Sequence, residues 1–219
     1  MEEWSLWNLI IGGITQMTAT LTKDFYTAFK ERRSYYGINK EITISEDRIK
    51  EMVEFAVKYT PSAFNSQTAR LVVLTEKAHD KLWDITTETL RKVVGDGDFT
   101  GTQQKMDSFK AGYGTVLFFE DESIVKSLQE QFPLYADNFP VWSQQGSGMH
   151  QYLVWTAFEA EGLGATLQHY NPLIDDEVKQ EWNIPKNWKL IAQMPFGNPV
   201  STPGEKEYKP VEDRVKFIK

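Results

Sequence analysis

Arg32, Arg33 and Ser34 set two guanidiniums and a hydroxyl side by side where the apolar periodicity of the first helix runs out. The chain holds 24 basic and 31 acidic residues, a formal net charge of −7. Two adjacent like charges in such a chain are accounted for if an anion lies between them, and the planar guanidinium fork suits bidentate contact with phosphate. Basic residues also complement the carbonyl end of a helix, the plainer role open to this pair. Pro61, Ser62, Ala63, Phe64, Asn65, Ser66 and Gln67 form a second polar constellation between a helix and a strand. Its hydroxyl and amide side chains can hydrogen-bond the edge of a heterocycle, or can simply close turns.

Other chemistries are closed off. Cysteine is absent, which removes disulfides, thiolate nucleophiles and cysteine metal sites. His79, His150 and His169 keep no metal-ligand spacing, so no metal is expected. There is no GxSxG elbow. Asp96, Asp98, Thr100, Gly101 and Asp107 hint at a calcium loop, but the terminal Glu is missing and an acidic turn is the simpler reading. No side chain is therefore assigned as catalytic. An acidic balance without a basic run argues against nucleic acid as a partner, and no cationic amphipathic helix points to a membrane. A soluble, cytoplasmic protein is the expectation. Seven Trp, nine Tyr and thirteen Phe suit interfaces and planar ligands.

The elements that must position these residues are organised around Val141 to Tyr170. Between Val141 and Phe158 there is no Asp, Glu, Lys or Arg, while Met149, Tyr152, Leu153, Thr156, Ala160 and Leu163 recur at helical spacing. Val154, Trp155 and Phe158 add a second apolar face, so the helix is expected to be buried on several sides. Ser143, Gln144, Gln145, Ser147 and Gln151 exclude a membrane span. Gly162 and Gly164 stop the helix, and Ala165 to Tyr170 leave as an extended segment whose small residues let a flat ligand approach the backbone.

Upstream, Thr22 is placed to cap a helix with Phe25, Ala28 and Phe29 inward, and Ser45 opens a second with Ile49, Met52, Val53, Ala56 and Val57 buried. Strands are expected at Ala69–Thr75, Tyr113–Glu120 and Lys189–Phe196, and helices at Ala78–Val94, Glu122–Gln131 and Ile174–Trp182. Phe132 to Trp142 reads as an aromatic loop, and the tail from Gly197 as a segment that wraps the surface or a partner. Residues 1–20 stand apart as an N-terminal extension to a single domain over 21–219. They lie either upstream of a natural start at Met17 or form a short helix docking Trp4, Trp7 and Ile10 on a partner subunit. Helices outweigh strands, which gives a layered α+β fold.

Taken in this order, the segments resemble the FMN-dependent nitroreductases. The resemblance is carried by RRS at Arg32 to Ser34, P-S-x-x-N-x-Q at Pro61 to Gln67, the central helix ending in GLGATLQ, and MPFGNP followed by KPVEDRV. KMDSFKAGYGTVLFFED and QFPLYADNFPVWS are more similar to the branch related to the yeast fatty-acid-repression protein, which lacks the large excursion domain over the flavin. The likeness runs from about Leu21 to Phe217. It departs at Tyr36, where many relatives carry Arg or Lys.

Such a resemblance implies a central mixed or antiparallel sheet flanked by helices and a homodimer with two FMN sites at its interface, each lined by both chains. Arg32 and Ser34 would hold the phosphate end with Arg33 beside them, and the Tyr36 phenol could donate one hydrogen bond. Ser62, Phe64, Asn65 and Gln67 would arrive from the other subunit. Backbone groups from Leu163, Gly164 and Ala165 to Leu167 would lie along the isoalloxazine. Lys209 would meet the phosphate, with Lys206 a weaker candidate; Lys105, with Lys110 in reserve, would face flavin N1 and O2. The implied activity is hydride transfer from NAD(P)H through flavin N5 to a small-molecule acceptor, a nitroaromatic or quinone, in ping-pong order with protons from water. Phe132 to Trp142 is the candidate acceptor wall. A non-catalytic flavin-binding regulator, in lipid or redox stress signalling, would keep the same residues.

Overall fold

The computed structural model describes residues 23–219. The readings made for the N-terminal extension, and for Thr22 as a cap, lie outside the described residues. The eight residues of β3 (Gly114–Asp121) are all buried. Val116 and Phe118 turn to one face while Leu117 and Phe119 turn to the other, the period-2 alternation of a pleated strand. A strand apolar on both faces must be covered on both, and this one is. On the first face α2 (Glu46–Tyr59) contributes Ile49, Met52, Val53 and Ala56, and α6 (Asn138–Ala160) contributes Val154 and Phe158. On the second, α3 (Glu76–Val94) supplies Leu82 and Trp83, α4 (Thr100–Lys110) Met106 and Phe109, and α7 (Asp175–Glu181) Val178. Full burial of a side chain such as Phe118 contributes about 1.5–3 kcal/mol.

The sheet runs β1 (Ile38–Asn39), β5 (Trp188–Pro199), β3, β2 (Ala69–Thr75), with β4 (Gly164–Ala165) also paired to β5. Every ladder is antiparallel, and one isolated parallel bridge joins Ser34 to Ala165. The architecture is thus the expected α+β one, with β5 as the strand that holds most partners. Ser45 accepts the N–H of Arg48 and starts α2, as its residue type favours, and Thr60 ends it before Pro61. Helix α5 spans Glu122–Gln131 as the sequence pattern predicts.

Three readings change. Helix α1 (Phe25–Glu31) is capped by Asp24 and buries Ala28 alone, while Phe25 and Phe29 are exposed, as is Val57 on α2. The aromatic stretch is only partly a loop: a 3-10 turn at Pro133–Tyr135 leads into α6, which begins at Asn138 rather than Val141. Pro140 falls in the first turn, where a missing N–H costs no intrahelical bond. Helix α4 went unread because TGTQQKMDSFK shows only Met106 and Phe109 as a buried stripe.

Candidate functional site

At the C-terminal end of α6, Gly162 takes φ +80°. Its N–H donates to the Glu159 carbonyl and that of Leu163 to Phe158, the paired bonds that close a helix through a left-handed residue. The chain reverses into β4 against β5, where a Cβ on Gly164 would lie 2.9 Å from the Tyr35 side chain. The Ala165 carbonyl accepts two donors, the Tyr35 N–H at 3.0 Å and the Trp155 Nε1–H at 3.2 Å. Arg32 to Ser34 and the GLGATLQ segment, distant in sequence, are thereby brought side by side. The Leu163, Thr166 and Gln168 N–H groups are committed to Phe158, Pro195 and Gln193 carbonyls. An N–H offered to a ligand from this segment must come from another of its residues.

The Arg32 guanidinium carbon lies 4.2 Å from the Trp155 ring centroid and 5.9 Å from that of Tyr152, within cation–π range. Its Nε is buried without a partner, which in a native fold asks for an explanation. Arg33 donates to the Gly204 carbonyl at 2.8 Å. Arg32, Arg33, Ser34, Tyr36, Pro203, Gly204 and Lys206 line a cleft of about 420 Å³. Three cations and two hydroxyls line it with no carboxylate among them, so the electrostatics suit an anion. Lys206 belongs to this cleft; Lys209 is exposed on the tail and does not line it. At the same end of α6, Glu159 pairs with Lys23, and Glu161 accepts two donors from Arg48 at 2.7 and 2.9 Å.

Tyr36 and Lys105 flank the same ring, with the Tyr36 centroid 6.0 Å from that of Phe109 and Lys105 Nζ at 5.7 Å. Lys110 instead ion-pairs with Asp84 at 2.6 Å. No carboxylate pairs with Lys105 among the described residues.

The loop from Pro61 to Gln67 sits at the other end of α6. The Ser62 hydroxyl accepts the Gln67 N–H at 3.0 Å, around a 3-10 turn at Ala63–Asn65. Phe64, Asn65 and Gln67 have φ of 57°, 49° and 48°, the left-handed region, which costs a non-glycine residue roughly 1–3 kcal/mol and collects at functional sites. The Phe64 ring lies among Phe132, Tyr135, Phe139 and Trp142 at centroid distances of 5.1 to 5.9 Å, stacked on Trp142 at 22°. The residue is nevertheless 51% exposed. Density of aromatics near residue 140 was visible in the sequence; that Phe64 joins them was not. From Trp142 to Trp155 the helix rises about 20 Å, so the loop and the arginine cleft of one chain stand far apart.

Beside the last two turns of α6 runs a largely apolar groove of about 730 Å³ bounded by α1, α2 and α6, with Phe25, Met52, Phe55, Tyr59 and Leu153 in its lining and Arg48 and Glu51 among its charged residues. Phe55, Tyr59 and Phe25 are each more than half exposed, and Met149 and Val141 extend the surface along α6. Among the described residues no cluster of metal-ligating side chains occurs, and no helix is long and apolar enough to cross a membrane.

A family model described as "Nitroreductase family" matches residues 29–198. The Saccharomyces cerevisiae protein HBN1 is 37% identical over 179 residues, 81% of this chain and 89% of its own length. Nitroreductase FRM2 of the same yeast is 33% identical over 190 residues, 85% of this chain and 94% of its own. Nitroreductase CinD from Lactococcus lactis, solved in complex with nicotinic acid, superposes with a TM-score of 0.84 at 48% identity, covering 90% of this chain and 100% of CinD. CinD has also been solved with chloramphenicol and with 4-nitrophenol. A structure from Exiguobacterium sibiricum in complex with FMN shares the fold at 13% identity with a TM-score of 0.64.

Proposed function

Because the chain belongs to the nitroreductase family, we propose that it is a homodimeric FMN-dependent oxidoreductase that takes electrons from NAD(P)H and delivers them to nitroaromatic or quinone-like acceptors. The observation that carries this reading is the cleft at Arg32, Arg33, Ser34 and Lys206, with a buried guanidinium Nε lacking a partner. A phosphate monoester fits that donor set. Arg32 would hold the phosphate, pinned by Trp155; Ser34 and Tyr36 would add hydrogen bonds. Lys105, free of carboxylates, would place a positive charge where negative charge develops on reduction. Bound there, FMN would supply two-electron redox chemistry.

The separation of the loop and the cleft along α6 supports a two-chain site. With the loop of one chain brought to the cleft of another, Ser62, Phe64, Asn65 and Gln67 would complete the pocket, and Phe132, Tyr135 and Trp142 would wall the acceptor. The exposed apolar groove and flanking aromatics are large enough to mark an interface rather than scattered surface residues. That two CinD complexes hold nitro compounds favours the same acceptor class here. Donor and acceptor would use one site in turn.

The decisive experiment is a flavin absorption spectrum of the purified protein, followed by NADH or NADPH added without acceptor. Rapid bleaching and parallel double-reciprocal lines at several acceptor concentrations are expected. A yellow protein that nicotinamides do not bleach would instead be a flavin-binding regulator, and intersecting lines would exclude the shared site.

A further inference from the structure

Glu120 lies near the end of β3 and is 2% exposed. Its Oε2 accepts the Ser143 hydroxyl at 2.6 Å, while Oε1 is buried with no partner. Three segments meet at this carboxyl. One is β3 itself; another is the start of α6 through Ser143. The third is the exit of the Pro61–Gln67 loop, through Thr68, whose hydroxyl lies beside the carboxyl and whose carbonyl accepts the Asp121 N–H. Thr68 follows Gln67, and Ser143 follows Trp142, on which Phe64 stacks. The carboxyl therefore stands one residue beyond Trp142 on one side of the aromatic wall and four beyond Phe64 on the other.

We propose that Glu120 is a positioning residue for that wall, fastening the exit of the loop to the start of α6 and so holding Phe64 against Trp142. This rests on the wall being the acceptor side of the site. The charged groups around it are few. Arg70 on β2 is committed to Asp121 and to the Gln67 and Ala69 carbonyls. On β5 the register partner is Lys189, which is exposed, and α6 carries no charged residue from Asn138 to Phe158. Burial pushes the carboxyl above its ordinary range, only partly opposed by the Ser143 and Thr68 hydroxyls. Both hydroxyls act as donors, so they bind the ionised carboxylate through charge-assisted bonds and the neutral acid through weaker ones. As pH falls through the raised pKa the fastening loosens and Phe64 is released.

The test uses the FMN-loaded protein, with Glu120→Gln and Ser143→Ala beside wild type. Acceptor KM and kcat, and hydrogen exchange at the amides of 62–67 corrected for intrinsic rates, are followed from pH about 5 to about 9. In wild type, KM for a nitroaromatic acceptor that does not itself ionise should rise about tenfold toward acid pH with kcat and FMN occupancy steady. Loop protection should fall in parallel. Glu120→Gln, which cannot ionise, should make both readouts flat at their acid-pH values, and Ser143→Ala should move the transition. The same acid limb in Glu120→Gln would overturn the assignment, as would loop protection that neither pH nor either variant changes. If no acceptor is turned over, the reading of the wall fails separately, and the exchange data alone decide on Glu120.

Discussion

The two ends of α6 are built on opposite principles. Its C-terminal end is cationic and tied down: Glu159 and Glu161 are buried in ion pairs with Lys23 and Arg48, and Arg32 is stacked on Trp155. Its N-terminal end is uncharged, aromatic and half exposed, and it leans on a loop with three left-handed non-glycine residues. A rigid end can hold a cofactor's fixed charge in place. A strained, soft-walled end can admit acceptors of varied shape, since stacking on aromatic faces sets few directional demands. On the function proposed above, retention falls to one end and selection to the other.

The largest effect should follow from removing the strut of the rigid end. Trp155→Ala deletes the ring under Arg32 and the donor to the Ala165 carbonyl, and should cost about 3–4 kcal/mol in urea unfolding together with loss of bound flavin. Normal flavin content in a stable variant would break the comparison. Next comes acid stability, to which a histidine outside both ends contributes. His79, wedged between the Thr115 hydroxyl and the Lys110 carbonyl, is held neutral by burial, with a pKa lowered to about 4. The unfolded chain binds the extra proton first, so stability present above about 6.5 falls as pH drops toward 4, by roughly 3 kcal/mol in all. His79→Gln should flatten that slope in thermal unfolding scans.

A smaller effect separates phosphate from ring. Arg32→Ala should weaken FMN by roughly 1.5–3 kcal/mol, the scale of a charged hydrogen bond, and leave riboflavin nearly unaffected. Equal losses for both ligands would take Arg32 out of the phosphate site. Smallest in stability is Phe64→Gly, which removes a half-exposed ring but relieves a φ of 57°. Unfolding free energy should change by about 1 kcal/mol or less while acceptor KM rises several-fold. A loss of about 3 kcal/mol would make the wall part of the core.

These ends differ equally in how far the sequence discloses them. The rigid end is written locally: Gly162 and Gly164 mark where a helix must stop and a backbone must pass, and paired arginines in an acidic chain draw attention by themselves. Even there, the stacking of Arg32 on Trp155 joins segments that no local pattern connects. The soft end is assembled across distance, from Phe64 and residues 132–142, so its aromatics were visible but their partner was not. Phe25 and Phe29 were read as core because apolar periodicity reports a face that avoids water, not what covers it. Buried strands and well-capped helices were legible because period and caps are short-range signals.

Strand β5 carries a consequence for how the molecule is made. It pairs with β3, β4 and β1, whose residues precede it by as much as most of the chain. During synthesis β3 emerges with both faces apolar and one edge bare, and that edge stays open until Trp188–Pro199 follows. Contacts this distant in sequence slow folding, and an unpaired apolar edge invites association with other nascent chains.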